Sequence, residues 1–465
     1  MLIKDISFIE VKSPGAHIFS KFPIPRLGSV LLSTILANKG FKVKVFIEDV
    51  AEPDWLFIES SDLVCISTIT STAVRAYALA DRLRKRGIPV VMGGAHPSLM
   101  PGEALGHADY VVRGEGDYTL PELIEYLTRG TPPVNSIEGV SYRGTSAGTV
   151  HNPPRPLLKN MDALPGPDFS LIHGWKPSNT YPISTSRGCP FSCRFCSVIH
   201  LFGRKYRFRS VNVTLAEIRR VIAEYKATIF FVDDNFTANK KRAKAILKGM
   251  VDEGIKHSWS AQVRTDIAGD PELLRLMADS GCNTLYIGFE SINPVTLALY
   301  EKKQSIGEII KCIKVVKEHR INIHGMFVLG ADTDTIDTIR HTADFAVNLG
   351  LDTVQFMPLT PLPGTPVFAE MKEAGRLLHT DWSKYDMHHV VFNPAAMGPD
   401  TLQIETLKAM KKFYSWRYIL NHLARFDFHY AMIGLYGNRT VKQLLGKTKE
   451  YFEAIGSAPC KPLNV

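Results

Sequence analysis

The sequence predicts an α/β protein: an N-terminal doubly wound parallel sheet, then a second series of strand–helix units, then a mainly helical C-terminal region. Three observations carry this. Short apolar runs alternate with helical stretches of about 10–15 residues, the pattern of parallel βαβ units. Glycines such as Gly40 and Gly87 stop the helices. Beyond about residue 370 the strand signal gives way to amphipathic helical sequence.

In the first region, 1–130, strands are expected at 6–11, 43–47, 63–67, 89–94 and 110–113, with helices at 26–39, 75–86 and 120–127. Residues 131–180 form a connector, too rich in proline for regular elements apart from a small hairpin at 140–150. In the region 181–370, strands are expected at 182–185, 228–233, 258–263, 284–289, 322–329 and 353–357, making six βα units. The region 371–465 is mainly helical, and 401–426 is amphipathic and aromatic. Its Tyr414, Trp416, Tyr418, Phe426, Phe428 and Tyr430 read either as core or substrate-cap residues, or as a membrane-surface set interleaved with Lys411, Lys412, Arg417 and Arg425.

Composition bounds the function. A chain of 465 residues holds two to four domains. Its 45% hydrophobic and 22% charged content is that of an ordinary globular protein. No apolar run is long enough for a spanning helix. The start, Met1-Leu2-Ile3-Lys4-Asp5-Ile6, enters strand-like sequence without the basic and apolar regions of a signal peptide. A cytoplasmic location is expected, and seven cysteines, three of them clustered, suit a reducing compartment. The net charge of +9 raises nucleic acid as a partner, but the cations are dispersed and no binding module is visible. No nucleic-acid partner is expected. The densest basic run, Arg204-Lys205-Tyr206-Arg207-Phe208-Arg209, reads as a solvated face or as a lip over cofactors or an anionic substrate.

The most specific signal is Gly188-Cys189-Pro190-Phe191-Ser192-Cys193-Arg194-Phe195-Cys196. Three cysteines at C-x3-C-x2-C spacing fit three corners of a [4Fe–4S] cube and leave one iron open. A Cys3His zinc site completed by His200, or three ordinary buried cysteines, are the other readings of the same residues. Cys282 and Cys312 look like core cysteines and Cys460 like a free exposed thiol, so no second cluster is expected.

The spacing, with an aromatic before the third cysteine, resembles the signature of the radical S-adenosylmethionine (SAM) superfamily. The resemblance implies a partial (β/α)6 TIM-type barrel over 181–370. It also implies a cluster on Cys189, Cys193 and Cys196, and SAM bound at the open iron with Phe195 near its adenine. Chemistry in such barrels gathers at the carboxyl ends of strands, and the candidates fall there. Asp233 or Asp234 would accept from the SAM ammonium, or else cap the next helix. Arg264 would pair with the SAM carboxylate, or else with Asp266. Glu290, in Gly288-Phe289-Glu290-Ser291, would bind ribose hydroxyls or hold an arginine, and with Ser291 it resembles the family's GxES-like strand end.

The first region resembles the cobalamin (B12)-binding domain that precedes many radical SAM domains. The matching pieces are Pro25-Arg26-Leu27-Gly28, the Ser/Thr-rich strand end with Ser67, Thr68 and Thr70, then Gly93-Gly94-x-His96-Pro97, and Gly114-Glu115-Gly116-Asp117. Ligands in doubly wound sheets sit at these carboxyl ends. The Asp-x-His-x-x-Gly motif that supplies a cobalt ligand is absent, and His96 is either a corrin contact or a plain turn histidine.

Together the resemblances imply a cobalamin-dependent radical SAM C-methyltransferase, acting on an unactivated carbon through a 5′-deoxyadenosyl radical. Relatives with the same two domains catalyse cyclisation, ring rearrangement or carbon–carbon coupling without methyl transfer, which is the alternative. A zinc-stabilised nucleic-acid-binding protein is a remote third. The implied partners are a small-molecule or lipid substrate and an external electron donor such as flavodoxin or ferredoxin, with peripheral membrane contact as a further expectation. No residue set identifies the substrate.

Overall fold

The computed structural model describes residues 3–13, 15, 24–144, 148–176, 180–225 and 227–456; Cys460 lies outside them. The first sheet comprises β1 (Asp5–Glu10), β2 (Lys42–Ile47), β3 (Leu63–Ser67), β4 (Val90–Gly93), β5 (Tyr110–Val112), β6 (Val140–Arg143) and β7 (Thr149–His151). Their order is β2-β1-β3-β4-β5-β6-β7. The first five pair in parallel, and the β6–β7 hairpin adds an antiparallel edge.

Period-two alternation gives this sheet two apolar faces. Phe8, Val45, Cys65 and Val91 face one core with Val30, Leu120 and Leu123 of the helices Leu27–Ala37 and Gly116–Arg129. Ile9, Phe46, Val64, Ile66 and Val90 face the other, with Ala76, Leu79 and Leu83 of the helix Ala73–Lys85. Helices on both sides make the sheet doubly wound. The strand order reverses between β1 and β3, and the crevice at such a reversal is where a ligand sits.

The second region holds β8 (Thr180–Ile183), β9 (Ser186–Arg187), β10 (Arg207–Phe208), β11 (Thr228–Phe231), β12 (Trp259–Val263), β13 (Cys282–Glu290), β14 (Asn322–Leu329) and β15 (Thr353–Pro358). Six of these form an all-parallel sheet ordered β15-β14-β13-β12-β11-β8. Within that sheet β8 pairs only with β11 and β15 only with β14, so the barrel is partial. The small β9–β10 ribbon flanks the cysteine loop. Cys65, Cys282 and Cys312 are buried in the core.

The C-terminal helices Pro399–Phe413, Trp416–Ala424 and Phe428–Ala454 protect the β15 edge. Tyr414 Oη donates to the Val354 carbonyl at 2.9 Å and accepts from its N–H at 3.0 Å, satisfying edge groups that would otherwise be left unpaired. Tyr418 Oη donates to Asp352 O at 2.6 Å, at the amino end of the same strand. The substrate-cap reading of these aromatics is therefore corrected: they lie at the end of the barrel opposite the strand ends that carry the site. Tyr414 is core, whereas Trp416, Phe426 and Phe428 are exposed. Among the described residues no helix is long and apolar enough to cross a membrane.

Candidate active site

The cysteine loop leaves β9 through Gly188, at φ 85°. A Cβ there would lie 2.7, 2.9 and 3.0 Å from the carbonyl oxygens of Lys205, Gly203 and Phe202, so glycine lets the loop close on its returning strand. Cys189, Cys193 and Cys196 are half-buried, and Cys196 N–H donates to Cys193 O at 3.1 Å. Burial pushes the Cys196 thiol up to about 12 and raises Cys189. Bound iron would supply the positive charge that converts them to thiolates. Among the described residues no three His, Cys, Asp or Glu side chains gather as ligands of one ion. A cube, with its cysteines at separate corners, does not require that, and the three thiols of this loop fit it.

Arg264, just beyond β12, stacks its guanidinium 3.8 Å from the Phe191 ring centroid. Its Nη1 is 4.0 Å from Cys193 Sγ, and its Nη2 donates to the Lys302 carbonyl. It does not pair with Asp266, which Lys240 takes at 2.9 Å. Phe195 packs edge-on to Tyr300, centroids 5.0 Å apart.

The adjacent Asp233 and Asp234 part company. Asp233 is buried, and its carboxylate accepts from Thr185 N–H and Ser186 N–H, each at 2.7 Å, and from Thr185 Oγ1 at 2.5 Å. It pins the end of β8 ahead of the cysteine loop. Asp234 has no hydrogen-bond or ion-pair partner among the described residues, and burial, with Asp233 beside it, raises it to about 6. Neither caps the next helix, because Asn239 does.

Glu290 sits at φ 61° beside a register shift in β13. Its Oε1 accepts from Lys302 Nζ at 2.7 Å, both side chains being nearly buried. A Cβ on Gly288 would meet that oxygen at 2.3 Å, so the pair depends on the glycine. Ser291 Oγ accepts from Asn293 N–H at 3.0 Å and shapes the turn. Lys302 and Gln304, which bonds the Phe289 carbonyl at 2.7 Å, carry no motif by which sequence reasoning could find them.

A cavity of about 420 Å³ opens between the two regions. Ser67, Thr68, Gly93, Gly94, Gly114, Glu115 and Gly116 line one side, with Ser186, Arg187 and Asp234 from the barrel opposite. Leu27, Leu31, Leu32 and Leu120 add an apolar wall. Arg26 reaches the cavity with its Nη1 buried and unpartnered among the described residues, a donor suited to amide or phosphate oxygens on a corrinoid rim. The three cysteines are not among its lining residues, but Ser186 and Arg187, which lead into their loop, are.

Two expectations for this cavity are corrected. His96 and Thr70 do not line it: the turn after Gly94 buries the imidazole against Tyr77 and Trp382, with Nδ1 3.3 Å from Thr70 Oγ1. Glu115 lines it, but its carboxylate is occupied. Arg187 Nη1 donates to it at 3.1 Å, Arg207 Nη1 at 2.8 Å to each oxygen, and Leu158 N–H at 2.8 Å. Asp117 completes this buried seam as a bidentate partner of Arg187 at 2.6 and 3.0 Å. The Gly-Glu-Gly-Asp turn thus ties the first region to the strand that leads into the cysteine loop.

The B12 binding domain matches residues 19–124, and the Radical SAM superfamily matches residues 183–346. Bacteriochlorophyllide d C-12(1)-methyltransferase of Chlorobaculum tepidum is 30% identical over 403 residues, covering 85% of this chain and 84% of that protein. The chain belongs to the radical SAM superfamily, in its B12-binding-domain branch. This radical SAM enzyme is also 27% identical to the anaerobic magnesium-protoporphyrin IX monomethyl ester cyclase of Cereibacter sphaeroides, over 78% of the chain but 60% of that protein. The structure of the radical SAM methyltransferase TsrM from Kitasatospora setae, with cobalamin and a [4Fe–4S] cluster bound, superposes with a TM-score of 0.70. The superposition covers 97% of this chain and all of that one at 18% identity, so it shows a shared fold.

Proposed function

We propose that this radical SAM enzyme is a cobalamin-dependent C-methyltransferase that methylates an unactivated carbon. The observation that carries the reading is a cavity walled by the strand ends of both sheets, which sets the B12-side glycines opposite Asp234 and the strand entering the cysteine loop. Cys189, Cys193 and Cys196 would hold the [4Fe–4S] cluster, and Ser67, Thr68, Gly93, Gly94, Gly114, Gly116 and Arg26 would face cobalamin. When bound, cluster and SAM supply radical generation and cobalamin supplies a methyl carrier.

The chain's own residues bind and orient. Asp234, half-buried at the cavity and without a cation among the described residues, is suited to receive the SAM ammonium, and Arg264 to receive its carboxylate. Glu290, oriented by Lys302, is the acceptor for ribose hydroxyls. Asp233 and the Arg187–Asp117–Glu115 seam hold the cysteine loop against the cavity. The leucine wall keeps water out of a site where radical chemistry is quenched by stray contacts. A one-electron donor such as flavodoxin or ferredoxin, in a reducing cytoplasm, completes the system.

The methyltransferase reading is favoured over cyclisation by the wider match, 84% of the methyltransferase's length against 60% of the cyclase's. The test is anaerobic turnover of protein reconstituted with iron, sulfide and hydroxocobalamin, given methyl-deuterated SAM. Bacteriochlorophyllide and magnesium-protoporphyrin, the molecules in the relatives' names, are the first substrates to try. Labelled methyl on the product supports the proposal. Substrate deuterium in 5′-deoxyadenosine without a methylated product moves the enzyme to the cyclase side. Failure to retain any corrin removes cobalamin from the reading.

A further inference from the structure

The helices Trp416–Ala424 and Phe428–Ala454 form a hairpin at the amino end of the barrel, where Tyr418 bonds Asp352 O ahead of β15. Its inner face is packed: Gly434 lies against Tyr418 and Ile419, and Tyr430 stacks on His422. Its outer face is apolar and uncovered. Trp416, Leu420 and Leu423 repeat at i, i+4, i+7 on the first helix, and Phe428, Met432 and Leu435 repeat the same spacing on the second. Phe426 bridges them at the turn, 81% exposed, with Phe428 and Met432 at 60% and 64%.

Phe426 also holds a left-handed backbone, φ 58°. Glycine or asparagine is the usual occupant of such a position. A large aromatic placed there, in water, is unfavourable in both backbone and side chain, and outliers of this kind point to function.

The charge around the patch has one sign. Between residues 415 and 445 there are four cationic residues, Arg417, Arg425, Arg439 and Lys442, against one carboxylate. That carboxylate, Asp427, is used to cap the second helix and pair with His422. The four cations have no acidic partner among the described residues. Arg439 continues the stripe of Phe428, Met432 and Leu435 by one more turn.

We propose that this hairpin docks the enzyme on an anionic lipid bilayer, inserting Trp416, Phe426 and Phe428 at the headgroup level while the arginines meet lipid phosphates. An apolar face bordered by cations and tipped with aromatics is the pattern of interfacial helices. Two copies of this chain meeting through the patch would set arginine against arginine, which favours the lipid over self-association. The surface lies at the barrel end remote from the cavity, so it anchors the enzyme without covering the site.

The test is flotation of the full-length reconstituted enzyme with vesicles of phosphatidylcholine alone, or of phosphatidylcholine mixed with phosphatidylglycerol. Binding is expected only to the mixed vesicles and should weaken as salt is raised. Phe426→Ser combined with Phe428→Ser should weaken it by roughly tenfold or more, with cluster content and SAM cleavage unchanged. Arg425→Glu with Arg439→Glu, at exposed positions, should do the same and provides a second variant if the first folds poorly. Leu56→Ser, which removes an exposed leucine from the first domain, should change nothing. Failure to float with either vesicle overturns the proposal. So does equal binding to both, or a concentration-dependent dimer that the phenylalanine variant abolishes without any lipid binding.

Discussion

The two ends of the six-stranded sheet treat polar groups differently. At the amino ends every group named is neutral and satisfied: Tyr414 and Tyr418 bond backbone, and His324 Nδ1 bonds Thr353 Oγ1 at 2.8 Å. Burial depresses His324 to about 4, so it stays uncharged at neutral pH. At the carboxyl ends the groups are ionic, and they divide again. Asp233, Glu290 and the seam acids Glu115 and Asp117 are engaged by the protein itself, whereas Asp234 has no partner among the described residues. One end is built for stability and the other stores an unmet electrostatic requirement where a cationic ligand can meet it.

Substitutions at the two ends can break this contrast. Cys196→Ser should have the largest effect, abolishing SAM cleavage and lowering iron content while the far-ultraviolet circular dichroism stays native. Asp117→Asn should come next, since it removes the bidentate partner of nearly buried Arg187. A cost of about 3 kcal/mol, the lower end for a broken buried pair, is expected because Glu115 still faces Arg187, and denaturant unfolding measures it. Asp234→Asn should weaken SAM binding by roughly ten- to a hundredfold without loss of stability. A fall in stability with unchanged SAM affinity would place Asp234 with the structural acids.

At the amino end the effects should be smaller and confined to stability. Tyr414→Phe should cost about 1–3 kcal/mol, because it leaves buried groups of Val354 unpaired, with SAM cleavage unaffected in the folded fraction. His324→Gln should be the mildest change at neutral pH. The wild-type contribution of a neutral, buried His324 is complete above its unfolded value of 6.5 and is lost as pH falls from there through about 4. The variant should lack that acid-limb slope in an unfolding series. An unchanged slope would mean that His324 is not the group responsible.

Most of the fold is legible because its signals are local. Strands appear as short apolar runs closed by glycine, and β14 begins and ends where the sequence places it. The helix Gly116–Arg129 begins before its expected start because Gly114-Glu115-Gly116-Asp117 reads as a turn, yet Gly116 and Asp117 form its first turn. The cysteine loop is legible for the same reason as the strands: its three thiols, its glycine and its aromatic lie within nine residues.

The ambiguous residues were decided by distance along the chain. Nothing near Asp233 or Asp234 says which one meets Thr185 and Ser186, 48 and 47 residues before Asp233. His96 looks like a cavity residue until Trp382, from beyond the barrel, packs on its ring and donates to Glu103, 279 residues earlier, at 2.7 Å. Glu115 looks like a ligand-binding acid until Arg187 and Arg207 arrive from the barrel. By itself the sequence determined the α/β class, the order of the elements and the cluster loop, because periodicity, glycine stops and motif spacing act over a few residues. The tertiary structure alone decided which of the site's acids are neutralised, that Asp234 has no partner among the described residues, and which aromatics face outward, because burial and ion pairing depend on partners that only folding brings together.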